Sequence, residues 1–232
     1  MIKAVVFDMY ETLVTMFDCP AYKGADIAKD IGIEEATFRK IWNPSENPRS
    51  LGDMSFEDVI RFSLNANNRY SDELLQKIID KRISASSEYF NHLHPDIIPM
   101  LQTLRASDIK IALISNCYFE ERDAIKGSLL WEFFDAACLS CEEKLMKPDK
   151  EIYFRCLERL GFKAEECLYV GDGGSFELET AREVGMKPVQ ACWYLKEGTN
   201  QVGRLEDFPC ALSPMDIVEQ LSIGAGPKEK DD

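Results

Sequence analysis

No stretch of the sequence approaches the roughly 18 apolar residues that a membrane-crossing helix needs. The first 13 residues carry one Lys and an apolar run broken at Asp8, too short and too polar for a secretory signal. Positive charge is also scarce: 27 Lys and Arg stand against 41 Asp and Glu, for a formal net charge of −14. Neither a nucleic-acid backbone nor an anionic membrane surface would attract such a chain over long range, so no nucleic acid and no membrane is expected as partner. That leaves a small molecule in a locally basic pocket. There is no internal repeat, and the one low-complexity segment is the polar tail GAGPKEKDD at 224–232, expected to be disordered. Cysteine is present eight times but diluted, and several copies sit inside apolar runs, where reduced thiols acting as small hydrophobes are expected. Cys138 and Cys141 form a CxxC with no second pair or His at zinc-finger spacing, which argues against a metal or redox role. A soluble cytoplasmic protein, monomer or homodimer, is the expectation, and 232 residues can bury a full core in one large domain or two small ones.

Four short apolar runs read as buried parallel strands: IKAVVF at 2–7, IKIALIS at 109–115, CLYV at 167–170 and PVQACWY at 188–194. Helical patterns separate the last three. In PDKEIYFRCLERLG, Pro148 suits a first turn, Ile152, Cys156, Leu157 and Leu160 share a face, and Gly161 suits a stop. SFELETAREVG at 175–185 reads likewise, with Ser175 near its start. The alternation implies an open α/β sheet with its active crevice at the strands' carboxyl ends. Residues 15–93 break it. DIAKDIG, EEATFRKIW, SFEDVIRFSL and DELLQKIIDKRI carry helical spacing, Ser55 and Asp58 are placed as a capping box, and Asn, Pro and Gly punctuate 43–52. This is a helical insert.

Asp8 ends the first strand, Ser115 the second and Asp172 follows the third, while Lys147 precedes a helix start. An ionised Asp at the end of a dry strand is costly unless compensated, so its position marks a site. A nucleophilic carboxylate, a hydroxyl, an ammonium and a second carboxylate would suit transfer of a charged group through a covalent acyl intermediate.

FDMYETL, ISN, MKPDKEIY and VGDGGSFE, in this order and with a helical insert after the first, resemble the motifs of the haloacid dehalogenase-like (HAD) superfamily of hydrolases. The resemblance implies an α/β fold with a Rossmann-like parallel-sheet core, residues 1–14 and 94–223, and a small helical-bundle cap at 15–93. It implies Asp8 as nucleophile, Thr12 and Ser115 as groups that orient it or bind transferring oxygens, and Lys147 as the neutralising cation. Asn116, Tyr10 and Arg39 are candidate substrate contacts, although an ordinary exposed Arg39 beside a packed Trp42 is the blander alternative. Asp8, the Tyr10 carbonyl and Asp172 would hold Mg²⁺, with Glu177 as an outer or water-mediated ligand. Tyr118, Tyr153, His92 and His94 read as structural.

Two features of the resemblance conflict. Phosphatases of the superfamily carry a general acid/base Asp two residues after the nucleophile, where this chain has Tyr10, as the 2-haloacid dehalogenases do. Those dehalogenases use no metal and have Ser and Asn where this chain has Asp172 and Gly174. Without a cation, Asp172 near Asp8 would raise a carboxyl pKa and impair the nucleophile. A Mg²⁺-dependent phosphatase of a small phosphorylated metabolite, working through an aspartyl-phosphate, is therefore favoured. The alternatives are a metal-independent 2-haloacid dehalogenase and a binding or regulatory protein with little turnover.

Overall fold

A computed structural model describes residues 1–196 and 202–221; the tail expected at 224–232 lies outside the described residues. Six strands, β1 (Ala4–Phe7), β2 (Lys110–Ser115), β3 (Ala136–Leu139), β4 (Cys167–Gly171), β5 (Lys187–Ala191) and β6 (Cys210–Ala211), form one sheet. Its order is β3-β2-β1-β4-β5-β6 and every pairing is parallel. The central strands β1 and β4 are buried along their whole length because both sheet faces are covered. Val5, Phe7, Ile111, Leu113, Leu168 and Val170 face one core, while Ala4, Val6, Ala112, Ile114, Cys167 and Tyr169 face the other.

The helices are α1 (Gly24–Ile31), α2 (Glu35–Ser50), α3 (Phe56–Ala66), α4 (Asp72–Glu88), α5 (Ile97–Ala106), α6 (Phe119–Gly127), α7 (Ser140–Glu143), α8 (Lys150–Leu160), α9 (Glu177–Glu183) and α10 (Met215–Gln220). The first four, which lie between β1 and α5 in the chain, share a core that includes Ile27, Ile31, Phe38, Phe56, Ile60, Leu64 and Ile78. The capping box closes as read, with the Asp58 amide on Ser55 Oγ at 3.1 Å and the Ser55 amide on Asp58 Oδ2 at 2.9 Å. α4 packs along α6. Two chain crossings join the insert to the sheet, and one side chain touches both: the Tyr194 hydroxyl accepts from the His94 amide at 2.7 Å and donates to the Leu13 carbonyl at 3.5 Å. Beside it, Trp193 Nε1 donates to the Thr12 carbonyl at 2.8 Å. No helix among the described residues is long and apolar enough to cross a membrane.

Several local expectations are corrected. β3 and β6 were not anticipated; β3 has only four residues and β6 two, both lie toward sheet edges, and Asp135 aligns β3 by accepting from the Ile111 amide at 3.0 Å and Lys110 Nζ at 2.7 Å. β5 ends at Ala191, so Cys192–Tyr194 leaves the sheet to reach the insert's crossings. The punctuation at 43–52 does not break α2, which runs through Pro44 and Pro48 to Ser50. Near the end of α2, Arg49 packs between the rings of Trp42 and Tyr118. α9 begins at Glu177, because Ser175 and Phe176 have φ of 54° and 52°, and α8 begins after Pro148, with Asp149 capping it through the Glu151 amide at 2.9 Å. The thiols are not all reduced: Cys192 and Cys210 are bonded, their Cα atoms 6.2 Å apart. The β5–β6 pairing brings them together across 18 residues of sequence. The other six are free, Cys138 and Cys141 among them and both buried.

Candidate active site

Asp8 is the first residue past β1, and its amide is held by the Val170 carbonyl of the neighbouring β4 at 2.9 Å. Its carboxylate is compensated by Lys147 Nζ, 2.5 Å from Asp8 Oδ1. The same ammonium sits 2.5 Å from Glu177 Oε2 and 3.4 Å from the Tyr169 hydroxyl, which donates to Glu177 Oε2 at 2.8 Å. The backbone of Lys147 is fixed independently, since its amide donates to Asn116 Oδ1 at 2.8 Å and its carbonyl accepts from Asn116 Nδ2 at 3.0 Å. Glu177 Oε1 takes the Gly173 amide at 3.0 Å, and the Tyr153 hydroxyl donates to the Glu177 carbonyl at 3.2 Å. Only glycine fits at 171, because a Cβ there would lie 2.1 Å from Glu177 Oε1. Asp172 is steadied by the Gly174 amide on Oδ1 at 2.8 Å and by Gln190 Nε2 on its carbonyl at 2.8 Å.

Asp8, Asp172 and Glu177 offer oxygens that all lie within 4.8 Å of one another. Lys147 pairs with two of these three carboxylates, Asp8 and Glu177. Burial pushes the Asp8 carboxyl up to about 7, with Lys147 opposing and Glu177 adding to the rise. Asp172 is pushed up to about 8, by burial first and then by Glu177 and Asp8. Burial alone would lower the Lys147 pKa, yet Asp8 and Glu177 outweigh it and hold it above its ordinary value. A divalent cation suits this donor set. Both Glu177 oxygens are engaged by protein donors, whereas the Lys147 and Gly174 bonds use Oδ1 of Asp8 and of Asp172.

Of the other expected residues, Tyr10, Asn116 and Arg39 line a cavity of about 680 Å³ that also reaches Asp8, Lys147, Asp172 and Glu177. Arg39 is half exposed on α2 and paired with Glu35 at 2.6 Å. Thr12 and Ser115 are fully buried, and their hydroxyls, like that of Tyr10, have no hydrogen-bond partner among the described residues. Tyr118 lines the cavity as well; His92 pairs with Glu88 at 2.9 Å and stays on the surface. Sequence reasoning missed Tyr169, Arg82 and Glu121. Tyr169 carries a hydroxyl inside an otherwise apolar strand, and Arg82 lies four residues past Ile78 on the buried stripe of α4; both were readable signals.

A parallel sheet with helices on both faces, a buried carboxylate just past a central strand and an acidic cluster at the strands' carboxyl ends is a Rossmann-like α/β fold. The chain belongs to the haloacid dehalogenase-like hydrolase family, whose model it matches over residues 2–185. It is 29% identical over 205 residues to a glyceraldehyde 3-phosphate phosphatase of Methanopyrus kandleri, covering 82% of this chain and 84% of that protein. It is 26% identical over 225 residues to (S)-2-haloacid dehalogenase 4A of Burkholderia cepacia, covering 88% and 93%. A 2-haloacid dehalogenase from Pseudomonas syringae shares the fold with a TM-score of 0.68 at 20% identity, covering 96% of this chain and 99% of that one.

Proposed function

We propose that the chain is a cytoplasmic Mg²⁺-dependent phosphatase of a small phosphorylated metabolite, with the insert at 15–93 as a cap over a core of 1–14 and 94–223. One observation carries the reading: Asp8, Asp172 and Glu177 bring carboxylate oxygens within 4.8 Å of one another while the Lys147 ammonium pairs with Asp8 and Glu177, which suits a further cation between Asp8 and Asp172. A relative named as a phosphatase supports the same direction.

Asp8, the Tyr10 carbonyl and Asp172 would hold the cation, with Glu177 behind them fixing Lys147. Bound Mg²⁺ supplies charge neutralisation for the carboxylates and for the phosphoryl oxygens. Asp8 Oδ2 attacks phosphorus; the bond to it forms as the bond to the leaving oxygen breaks, and that oxygen takes a proton from water. Lys147 holds Asp8 Oδ1 so that the other oxygen faces the substrate, and the unpartnered hydroxyls of Thr12 and Ser115 donate to the transferring oxygens. Water then attacks phosphorus and releases phosphate, returning Asp8 as a carboxylate. Asn116 keeps Lys147 in register, and Tyr10 and Arg39 contact the rest of the substrate.

Tyr10 keeps a second reading in play, metal-independent 2-haloacid dehalogenation, which the Burkholderia relative also suggests. Phosphate release from a metabolite panel and halide release from 2-chloropropionate, each with Mg²⁺ and with EDTA, separate the two. Phosphate release lost in EDTA is expected; EDTA-resistant halide release selects the dehalogenase, and neither product selects a binding protein.

A further inference from the structure

Two arginines of the insert reach across to one short segment of the core, the turn leading from β2 into α6. Arg82, on the buried stripe of α4, donates Nη2 to Glu121 Oε1 at 2.7 Å and Nε to Glu120 Oε1 at 3.1 Å. Arg49, fully buried near the end of α2, lies between the rings of Trp42 and Tyr118, 3.8 Å and 3.9 Å from their centroids. Its Nε donates to Ser45 Oγ at 3.2 Å, its Nη1 stands 3.9 Å from Glu120 Oε1, and neither terminal nitrogen has a hydrogen-bond partner among the described residues. Both arginines act on Tyr118. Arg49 covers its ring, and Arg82 holds the carboxylate whose other oxygen accepts the Tyr118 amide at 3.1 Å.

Two residues before Tyr118 stands Asn116, which brackets the backbone of Lys147. Hydrogen bonds run from Arg82 through Glu121 to the Tyr118 amide and from Asn116 through Lys147 to Asp8; the chain joins the two stretches at Cys117, whose amide and carbonyl are also held by Ser140 Oγ. Simple adhesion of insert to core does not call for this arrangement, since well-packed apolar residues hold such an interface as well as a buried ion cluster does. Nor is Arg82 free to receive a substrate anion: it lines the cavity, but two glutamates already neutralise it.

We propose that Arg82, backed by Arg49, is a positioning residue: by fixing the turn at 116–118 it holds the Lys147 backbone in place, so that the ammonium sits on Asp8 when the insert is seated on α6. The proposal rests on the roles given above to Asp8 and Lys147, but its first test needs no turnover. In Arg82→Met the Lys147 amide, which Asn116 accepts, should exchange with solvent about 10-fold faster or more than in wild type, relative to the amides of Val5 and Val6 in β1, which report global opening. Arg82→Met strands two buried carboxylates, so Arg82→Met/Glu121→Met, which removes one of them with the arginine, serves if the single variant does not fold. In the phosphatase assay kcat should fall about 10- to 100-fold with KM little changed, and Arg82→Lys should recover part of it. Unchanged relative exchange at Lys147, or faster exchange with unchanged kcat, overturns the proposal. A wild type that releases no phosphate overturns the assigned reaction instead, and the exchange measurement still decides the positioning.

Discussion

Replacing Asp8 by Asn should abolish turnover and, in the metal-free protein, make stability relative to wild type rise with pH. An acid whose folded pKa lies above its unfolded value binds more protons folded than unfolded, so stability falls as pH rises through that interval. For Asp8 the interval runs from 3.8 to about 7. A shift of about 3 units at about 1.36 kcal/mol each corresponds to about 4 kcal/mol, present as a penalty above the interval and absent below it. Asn cannot ionise and escapes it. Lys147 has its pKa raised above 10.5, so its stabilising contribution is fully present throughout this window. Losing Asp8 as its partner changes the offset between the two proteins, not the slope. The stability of Asp8→Asn relative to wild type should therefore rise by about 4 kcal/mol between about pH 4 and about pH 8 in EDTA. Urea unfolding followed by tryptophan fluorescence measures it at each pH. Millimolar Mg²⁺ should stabilise wild type more than Asp8→Asn at the upper pH, because the folded state alone carries the site. A difference that stays flat or falls as pH rises would refute the view that Asp8 is buried among uncompensated charge.

Asp172→Asn should weaken calorimetric Mg²⁺ binding by about 10-fold or more while Tyr10→Phe changes it little, since only the Tyr10 backbone would be a ligand; equal effects would contradict the assignment. Gly171→Ala drives a Cβ to 2.1 Å from Glu177 Oε1, and displacing that carboxylate from Lys147 should cost about 1–3 kcal/mol in thermal unfolding and lower activity as well; an unchanged melting temperature would count against the Glu177 placement. Trp193→Phe removes the 2.8 Å bond to the Thr12 carbonyl and should cost about 1 kcal/mol in urea unfolding, with no loss expected if that bond is idle.

What was legible in the chain was what local chemistry dictates. The four apolar runs are strands because residues alternate between two covered faces, and a carboxylate ending the first of them could only be tolerated beside a cation, which Lys147 supplies. The Ser55–Asp58 box and the stop at Gly161, with φ of 73°, are equally local. What was missed depends on contacts distant in sequence. β6 is only two residues long, β3 reads Ala-Ala-Cys-Leu without β-branched or aromatic residues, α2 runs through Pro44 and Pro48, and the Cys192–Cys210 bond joins residues that the β5–β6 pairing brings together.

The register of α4 shows how a missed residue could have been found. Leu75, Ile78, Arg82 and Ser86 occupy one buried face, so Arg82 is a charge at a position where the helical period calls for an apolar residue. A full-length cation there is tolerable only if opposite charge meets it from another element. Within the insert Asp30 is taken up by Lys77 and Lys81 and by the Tyr22 hydroxyl. The acids that remain in reach come from α6, whose first turn reads Phe-Glu-Glu. The misfit on α4 and the doubled acid on α6 are thus two halves of one contact, and each alone reads as an ordinary charged helix. Pairing them across 39 positions of sequence is the step a single chain does not display, and it places the insert against the very turn that carries Asn116.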